Sequence, residues 1–262
     1  MLSLKESSYE LAELYASLQP GEGWHPEYKK DRDAFKKLIA TNIKIRRHFT
    51  RYFRDLAGRV GQRVNWGEYN ARLIKAAEPL ITDDWPEEIV TINVDLDQIL
   101  FDSFSIGALA QEADFGFSSG FMPGDDLAQA ALRKYTLRLA GDINETTIKQ
   151  VKQNLLSSLK QGFNQSQATD RLAKLVDNPY RAGMIAHTET VRAYSEGVLS
   201  VGERVGAEYK IWFDGQPGAC NVCRPLDRME VPFDEDFPTL LGPRRSTPAH
   251  PWCKCLTKLK LK

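Results

Sequence analysis

All four cysteines of this 262-residue chain lie near its carboxyl end, in two closely spaced pairs. The first pair is Cys220-Asn-Val-Cys223, and the second follows a histidine in His250-Pro-Trp-Cys253-Lys-Cys255. A Cys-x-x-Cys turn directs two sulfurs towards one point, and an extended Cys-x-Cys places two sulfurs on one face of a strand. Each pair can therefore supply half of a tetrahedral metal site.

A structural zinc ion in a protein is held by four Cys or His side chains. The sequence offers five candidates, which are Cys220, Cys223, His250, Cys253 and Cys255. We expect four of the five to bind zinc. The four cysteines are the favoured set, with His250 either replacing Cys253 or orienting the loop beside the metal. Because five protein ligands leave no open position for a reacting water, the expected zinc is structural, and neither enzymatic activity nor a small-molecule substrate is expected.

Disulfides, unrelated buried thiols and a redox-active pair each fit the cysteines less well than a metal. Two disulfides suit a secreted protein, but the first residues do not read as a signal peptide, so we expect the chain to stay in a reducing cytosol. Four unrelated buried cysteines seldom fall in two pairs. A redox-active Cys-x-x-Cys begins a helix in a βαβ unit, and the sequence predicts no such unit here. No apolar run is long enough for a membrane span, so no membrane association is expected.

Hydrophobic periodicity predicts a mainly α chain with a small zinc-stabilised β lobe at its carboxyl end, which makes the fold α+β overall. The predicted helices are, in order, an amphipathic stretch through Leu4, Leu11, Leu14 and Leu18, then 31–60, 66–77, 95–113, 125–141, 144–161, 166–176 and 180–206. The predicted strands are Ile89–Val94, Lys210–Asp214 and Leu256–Lys262, and the last two are expected to pair beside the metal lobe.

The sequence predicts two domains. Residues 1–142 are expected to form a mostly helical N-terminal region. Residues 143–262 are expected to combine helices over 144–206 with a zinc-binding β lobe over 208–262. A lobe of about fifty residues is too small to build a sufficient core by itself, so zinc is expected to replace part of a core. The predicted irregular segments are a hairpin around Leu226–Phe233 and a flexible glycine-rich loop at Phe115–Gly124.

The neutral net charge hides two oppositely charged segments. Residues 29–63 hold twelve Lys/Arg against three Asp, whereas residues 76–132 hold twelve Asp/Glu and no Lys or Arg. The basic helix and the lysine-rich tail are candidates for contact with DNA phosphates, and pairing with the acidic segment is the alternative. The candidate DNA contacts are Lys36, Lys37, Arg46, Arg47, Arg51, Lys258 and Lys260.

The predicted helix over 180–206 carries a polar group made of His187, Glu189 and Arg192. Glu189 and Arg192 are three residues apart and can pair on one helix face. No nucleophile accompanies them, so a catalytic role is not expected. We expect the three side chains to form a buried polar clamp between this helix and the metal lobe.

The order of these motifs resembles a known family. Arg181-Ala-Gly-Met-Ile-Ala-His-Thr-Glu-Thr190 leads to Gly197 and Trp212, and then to the Cys-x-x-Cys pair, Leu226-Asp227 and His-Pro-x-Cys-x-Cys. This series is similar to the C-terminal domain of the phage Mu F-like minor head proteins over about residues 145–258. In this chain Arg228 stands where the family has glycine after Leu-Asp, and His187 stands where it has a basic residue.

The resemblance implies a phage minor head protein that acts in head morphogenesis and in DNA packaging or ejection. It implies portal or capsid protein as the partner, first in the host cytoplasm and then in the virion, and it implies no reaction. The alternative is a virion protein that binds double-stranded DNA through residues 29–63 and the basic tail.

Overall fold

The computed structural model describes residues 24–71, 80–81, 85–122, 126–214 and 218–262. Within them the chain is mainly helical, with a small antiparallel sheet near its carboxyl end, and the predicted fold class is confirmed. The predicted amphipathic helix through Leu4 and Leu18 lies outside the described residues. No helix in the part of the chain that the structure describes has both the length and the apolar composition that a membrane crossing requires.

The helices and strands have the following bounds. The helices are α1 (Arg32–Arg59), α2 (Trp66–Ala71), α3 (Pro86–Asn93), α4 (Leu96–Phe115), α5 (Asp126–Lys160), α6 (Gln165–Val176) and α7 (Pro179–Val205). The strands are β1 (Tyr209–Phe213), β2 (Glu230–Pro232), β3 (Phe237–Thr239), β4 (Gly242–Arg244) and β5 (Leu256–Lys260). Short 3-10 helices cover Pro26–Lys29, Val60–Arg63 and Arg224–Leu226.

The chain forms two compact units, and their boundaries do not follow the predicted division after residue 142. The first, called here the sheet unit, contains the described residues up to Ile39 together with Ser103–Phe121 and His187–Lys262. The second, called the helical unit, contains Ala40–Asp102 and Met122–Ala186. The boundaries fall inside α1, α4 and α7, so each of these helices contributes to both units.

The sheet unit is built on a three-stranded antiparallel sheet in the order β2-β1-β5. Lys210 pairs with Leu259 and Phe213 with Leu256, which confirms the predicted pairing of the two strands. Gly107 and Gly197 let α4 and α7 come into backbone contact in this unit, because a Cβ at either position would overlap the backbone of the other helix.

The predicted strand Ile89–Val94 is wrong, because these residues belong to α3 and the segment that follows it. Glu88 and Ile92 lie one helical turn apart and both are buried. The Glu88 carboxylate accepts hydrogen bonds from the Arg59 guanidinium at 2.6 and 3.0 Å. These tertiary contacts override the preference of the β-branched residues for a strand.

The predicted helix end at Gly141 is also wrong, because α5 continues through it to Lys160. Asn144, expected to begin the next helix, instead donates its side-chain amide to the Trp85 carbonyl oxygen at 3.1 Å. A glycine inside a helix costs about 1 kcal/mol relative to alanine, which packing along a long helix offsets.

The segments between ordered elements also differ from the prediction. The hairpin lies at β3 and β4 rather than around Leu226–Phe233, and β2 pairs with β1. The described part of the glycine-rich loop is held by the Glu112 carboxylate, which accepts from the Ser119 amide at 2.5 Å and from its hydroxyl at 2.6 Å.

Candidate metal centre

Two tight turns of the same length position the predicted ligands, one from Cys220 to Cys223 and the other from His250 to Cys253. The backbone N–H of Cys223 donates to the carbonyl oxygen of Cys220, and that of Cys253 donates to the carbonyl oxygen of His250, each at 3.2 Å. Trp252 adopts a left-handed φ of 60° inside the second turn. Because β5 begins directly after Cys255, the sheet fixes the position of the second pair.

The two turns bring all five predicted ligand residues into one cluster in the sheet unit. His250 Nε2 lies 3.1 Å from Cys220 Sγ and 3.3 Å from Cys223 Sγ, and Cys223 Sγ lies 3.8 Å from Cys253 Sγ. Cys220, Cys223 and His250 form one group of converging ligand atoms, and Cys223, Cys253 and Cys255 form another. Ligand atoms within each group lie within 4.8 Å of one another, so the cluster can hold a metal ion.

His250 faces the cluster in the manner of a metal ligand. Its Nδ1 lies 2.7 Å from the Pro251 carbonyl oxygen. A carbonyl oxygen only accepts, so Nδ1 carries the proton, and in the neutral ring the lone pair of Nε2 points at the sulfurs. A backbone carbonyl commonly orients a metal-binding imidazole in this way. The structure thus places His250 among the ligand atoms, whereas the sequence favoured a set of four cysteines.

The sulfurs and the imidazole shift one another's pKa. Hydrogen bonding to Cys223 and His250 outweighs burial and lowers the pKa of the Cys220 thiol to about 4. Burial alone would lower the pKa of His250, but Cys220 and Cys253 raise it to about 10. The cluster therefore favours a thiolate at Cys220 and at Cys253, whereas hydrogen bonding to Cys220 raises the pKa of Cys223 and burial raises that of Cys255. Thiolate is the form in which cysteine binds metals.

Trp212 provides a test of whether the cluster suits a metal. Its indole N–H is fully buried and makes no hydrogen bond within the described part of the chain. Burial raises the pKa of the Cys255 thiol, and the nearby indole acts in the opposite sense. A Cys255 thiolate would give this buried N–H a charged acceptor, so the surroundings fit a metal–thiolate centre.

In the predicted polar clamp, His187 contacts the second turn. His187 Nε2 donates to the Cys253 carbonyl oxygen at 3.1 Å, and burial lowers its pKa, which favours a neutral ring. The adjacent Thr188 hydroxyl accepts from the Trp252 amide at 3.2 Å. Glu189 and Arg192 pair with each other within α7 at 3.2 Å. Burial raises the pKa of Glu189.

The segment before α1 completes the surroundings of the cluster, and the sequence analysis missed this. The Trp24 ring lies 4.7 Å from the His187 ring, which in turn lies 5.3 Å from that of Trp252. The Tyr28 hydroxyl donates to the Cys255 carbonyl oxygen at 3.2 Å. The concentration of aromatic residues in Trp24-His-Pro-Glu-Tyr28 was the available signal, but it does not indicate which distant residues it contacts.

Several of the candidate DNA-binding residues form ion pairs with carboxylates of the protein itself. Lys258 pairs with Glu27 at 2.6 Å and Asp114 at 2.9 Å, Lys260 pairs with Glu230 at 2.8 Å, and Lys36 pairs with Asp33 at 3.2 Å. Lys37 is exposed at the same end of α1.

Farther along α1, in the helical unit, the cations divide into two groups. Lys44 and Arg59 pair with the acidic residues Asp102 and Glu88. Arg46, Arg47 and Arg51 are exposed and form no ion pair among the described residues. The expected pairing with the acidic segment is therefore confirmed for Lys44 and Arg59, whereas contact with DNA phosphates stays a prediction.

Comparison of the sequence with protein-family models gave no match, and neither did comparison with curated proteins or with solved structures.

Proposed function

We propose that this protein is a phage minor head protein, similar to the Mu F-like family, whose carboxyl-terminal lobe is stabilised by one structural zinc ion. The observation that carries the proposal is the convergence of four cysteines and His250 in a mostly buried cluster. Zinc suits mixed thiolate and imidazole ligands in tetrahedral geometry. The ion would join the two turns and supply stability that a small lobe lacks.

A scaffold role for the metal is supported by the number of ligands. Five protein side chains are available for four positions, so no position is left for a substrate or a reacting water. Neighbouring side chains also serve packing rather than chemistry, since His187 and Tyr28 both donate to backbone carbonyl oxygens of the ligand residues.

The family resemblance gains support from contacts between its separate motifs. His187 and Thr188, from the Arg-Ala to Thr-Glu motif, contact the backbone of the His-Pro-x-Cys-x-Cys motif. Gly197, at the end of the first motif, permits the backbone contact with α4. The motifs of the resemblance are thus parts of one packing arrangement.

Elemental analysis of the reduced, purified protein tests the metal. We expect one zinc per chain in the wild type and loss of zinc in Cys220→Ser. His250→Ala should also lose zinc, because its Nε2 faces Cys220 and Cys223. A wild-type protein without bound metal would contradict the zinc proposal, and retention of zinc by His250→Ala would restore the four-cysteine set.

Assembly of phage heads tests the function. We expect the protein to co-purify with portal or capsid protein when it is expressed together with the head proteins of its own phage. Failure both to associate with portal or capsid protein and to be incorporated into heads would contradict the proposal. The zinc measurement remains interpretable in that case, because a structural metal does not depend on the partner.

Arg46, Arg47 and Arg51 favour a second candidate, which is binding of packaged double-stranded DNA. They are exposed on α1 without ion pairs among the described residues. Each phosphate contact contributes about −0.9 to the slope of log K against log salt. Replacing all three by glutamine should therefore flatten the salt dependence by roughly 3 units. Glutamine at Lys258 and Lys260, which already have carboxylate partners, is the matched control. Salt-independent or absent binding by the wild type would contradict this candidate.

A further inference from the structure

The five ligand residues of the cluster form two triangles that share one corner. Cys220, Cys223 and His250 make the first group, in which Nε2 of the histidine lies 3.1 and 3.3 Å from the two sulfurs. Cys223, Cys253 and Cys255 make the second group, with 3.8 Å between the sulfurs of Cys223 and Cys253. Cys223 belongs to both groups, so its sulfur can serve a metal on either side.

Five ligands in this arrangement fit two different metal loadings. A tetrahedral zinc ion takes four ligands and leaves one of the five unused. Two ions that each take three ligands would use all five, because a thiolate sulfur has several lone pairs and can bridge two metals. Two tetrahedral zinc ions that share one sulfur would need more ligands than the cluster provides. The second loading therefore requires a metal that accepts three soft ligands.

Cu(I) has the chemistry that the second loading requires. Thiolates are soft ligands that select Cu(I), and imidazole also suits copper. Like zinc, Cu(I) has a filled d shell, and it is stable with three such ligands. The cluster is packed among the buried side chains of Trp212, Leu226 and Phe237. Apolar surroundings limit the access of water, which favours a soft monovalent ion over a hydrated divalent one.

Trp212 indicates that Cys255 is one of the metal ligands. The indole N–H of Trp212 is buried near Cys255 and makes no hydrogen bond among the described residues. A metal-bound Cys255 stays a thiolate and gives this N–H a charged acceptor. His250 faces the first group in the same way as a ligand, with Nε2 towards the sulfurs. Both groups are thus built for a metal, whereas one zinc ion leaves one of their five residues unbound.

We propose that the cluster binds two Cu(I) ions per chain in place of one zinc ion, with the sulfur of Cys223 as the bridging ligand. Cys220 and His250 would complete the first site, and Cys253 and Cys255 would complete the second. The protein would thus take up cuprous ions and release zinc in exchange. The inference rests on the metal centre of the proposed function and not on the role in phage heads.

A competition titration tests the number of ions. The reduced, zinc-free protein is titrated with Cu(I) under exclusion of oxygen, against a coloured chelator specific for Cu(I). We expect two Cu(I) per chain in the wild type and one each in Cys255→Ser and His250→Ala, because each variant damages a single group. His48→Ala, which removes a histidine of the helical unit, is the matched control and should keep two. Any other wild-type stoichiometry, or two ions in both cluster variants, would overturn the proposal.

X-ray absorption at the copper edge tests the bridge and does not depend on the folding of a variant. The loaded wild type should show sulfur neighbours and a second copper atom at short distance, because both ions share one sulfur. Two bound ions without a copper neighbour would overturn the role of Cys223. The zinc content of the wild type is measured separately. A protein that binds zinc but only one Cu(I) contradicts this inference alone, and one that binds two Cu(I) but no zinc contradicts the zinc proposal alone.

Discussion

The ligand cluster of the sheet unit and helix α3 of the helical unit represent two ways of positioning residues. The cluster is formed by groups whose chemistry is evident from the spacing of two short stretches, Cys220-x-x-Cys223 and His250-x-x-Cys253-x-Cys255. Helix α3 is held by a contact between residues 29 positions apart, Arg59 and Glu88. Convergent ligands can be recognised from sequence, whereas the tertiary contact that overrides local preference is found only in the fold.

The comparison predicts where a single substitution has its largest effect. Cys223 belongs to both groups of converging ligand atoms. Cys223→Ser should abolish metal binding and unfold the lobe, because about 10–16 kcal/mol of apparent zinc binding energy is also folding energy. The rate of amide hydrogen exchange over residues 208–262 should rise to the rate seen in the wild type after a chelator has removed its metal. Cys255→Ser, a residue of only one group, is the comparison variant and should lose less metal. Normal metal content in Cys223→Ser would contradict a metal-stabilised lobe.

In the helical unit the corresponding substitution is Glu88→Gln. The Glu88 side chain is 1% exposed, and its loss leaves the Arg59 guanidinium without its buried partner. Breaking such a pair costs about 3–5 kcal/mol in the free energy of unfolding. Chemical denaturation measures the loss. Glu87→Gln is the matched control, because this carboxylate is 51% exposed and pairs with Arg63 at the surface, so its loss should be far less destabilising. Equal effects of the two variants would remove the role assigned to Glu88.

Replacing a glycine by alanine should change stability by an intermediate amount, and the sign of the change should differ between Gly107 and Gly58. A Cβ at Gly107 would overlap the Tyr194 backbone, whereas a Cβ at Gly58 would have no atom within 4 Å. Gly107→Ala should destabilise the protein by about 3 kcal/mol, since backbone must move apart. Gly58→Ala, within a regular helix, should stabilise it by about 0.5–1 kcal/mol. Thermal unfolding of both variants gives the sign, and stabilisation by Gly107→Ala would contradict the close contact of α4 and α7.

The sequence predicted those features that depend on local pattern or ligand chemistry. It predicted the pairing of β1 and β5, the bounds of α7 to within one residue, and the five residues of the cluster. It did not predict the contribution of Trp24 and Tyr28, because nothing local connects them with residues some 160 to 230 positions away.

The secondary-structure predictions were wrong where a contact with a residue distant in sequence overrode the preference of the local sequence. Asn144 reads as a helix start but donates to the Trp85 carbonyl, so α5 continues. The β-branched residues of α3 read as a strand, but burial of Glu88 and Ile92 against other elements decides in favour of a helix. Only the tertiary contact distinguishes these outcomes.

Replacing Lys210 should have the smallest effect on stability, and the effect should be opposite in direction to that of replacing another buried charged residue, Glu88. The Lys210 side chain lies on β1, is fully buried, and its Nζ makes no hydrogen bond among the described residues. The rings of Phe233 and Phe237 lie near it, with centroids 5.9 and 5.6 Å from Nζ, and the charges of Asp234, Asp236 and Glu196 also act on it. An apolar side chain of similar length would avoid the desolvation of the ammonium group, so Lys210→Met should stabilise the protein by about 1 kcal/mol.

The advantage of Lys210→Met over the wild type should depend on pH in a defined direction. Burial lowers the pKa of Lys210 from its ordinary value of 10.5, so between the folded pKa and 10.5 the unfolded state binds more protons than the folded state. The stability of the wild type should therefore rise relative to that of the variant as the pH increases through this range. Below the folded pKa the difference should be largest and constant. Denaturation of both proteins between neutral pH and about pH 10.5 measures it. A wild type more stable than Lys210→Met at neutral pH would mean that the two rings and the nearby carboxylates stabilise the cation by more than burial destabilises it.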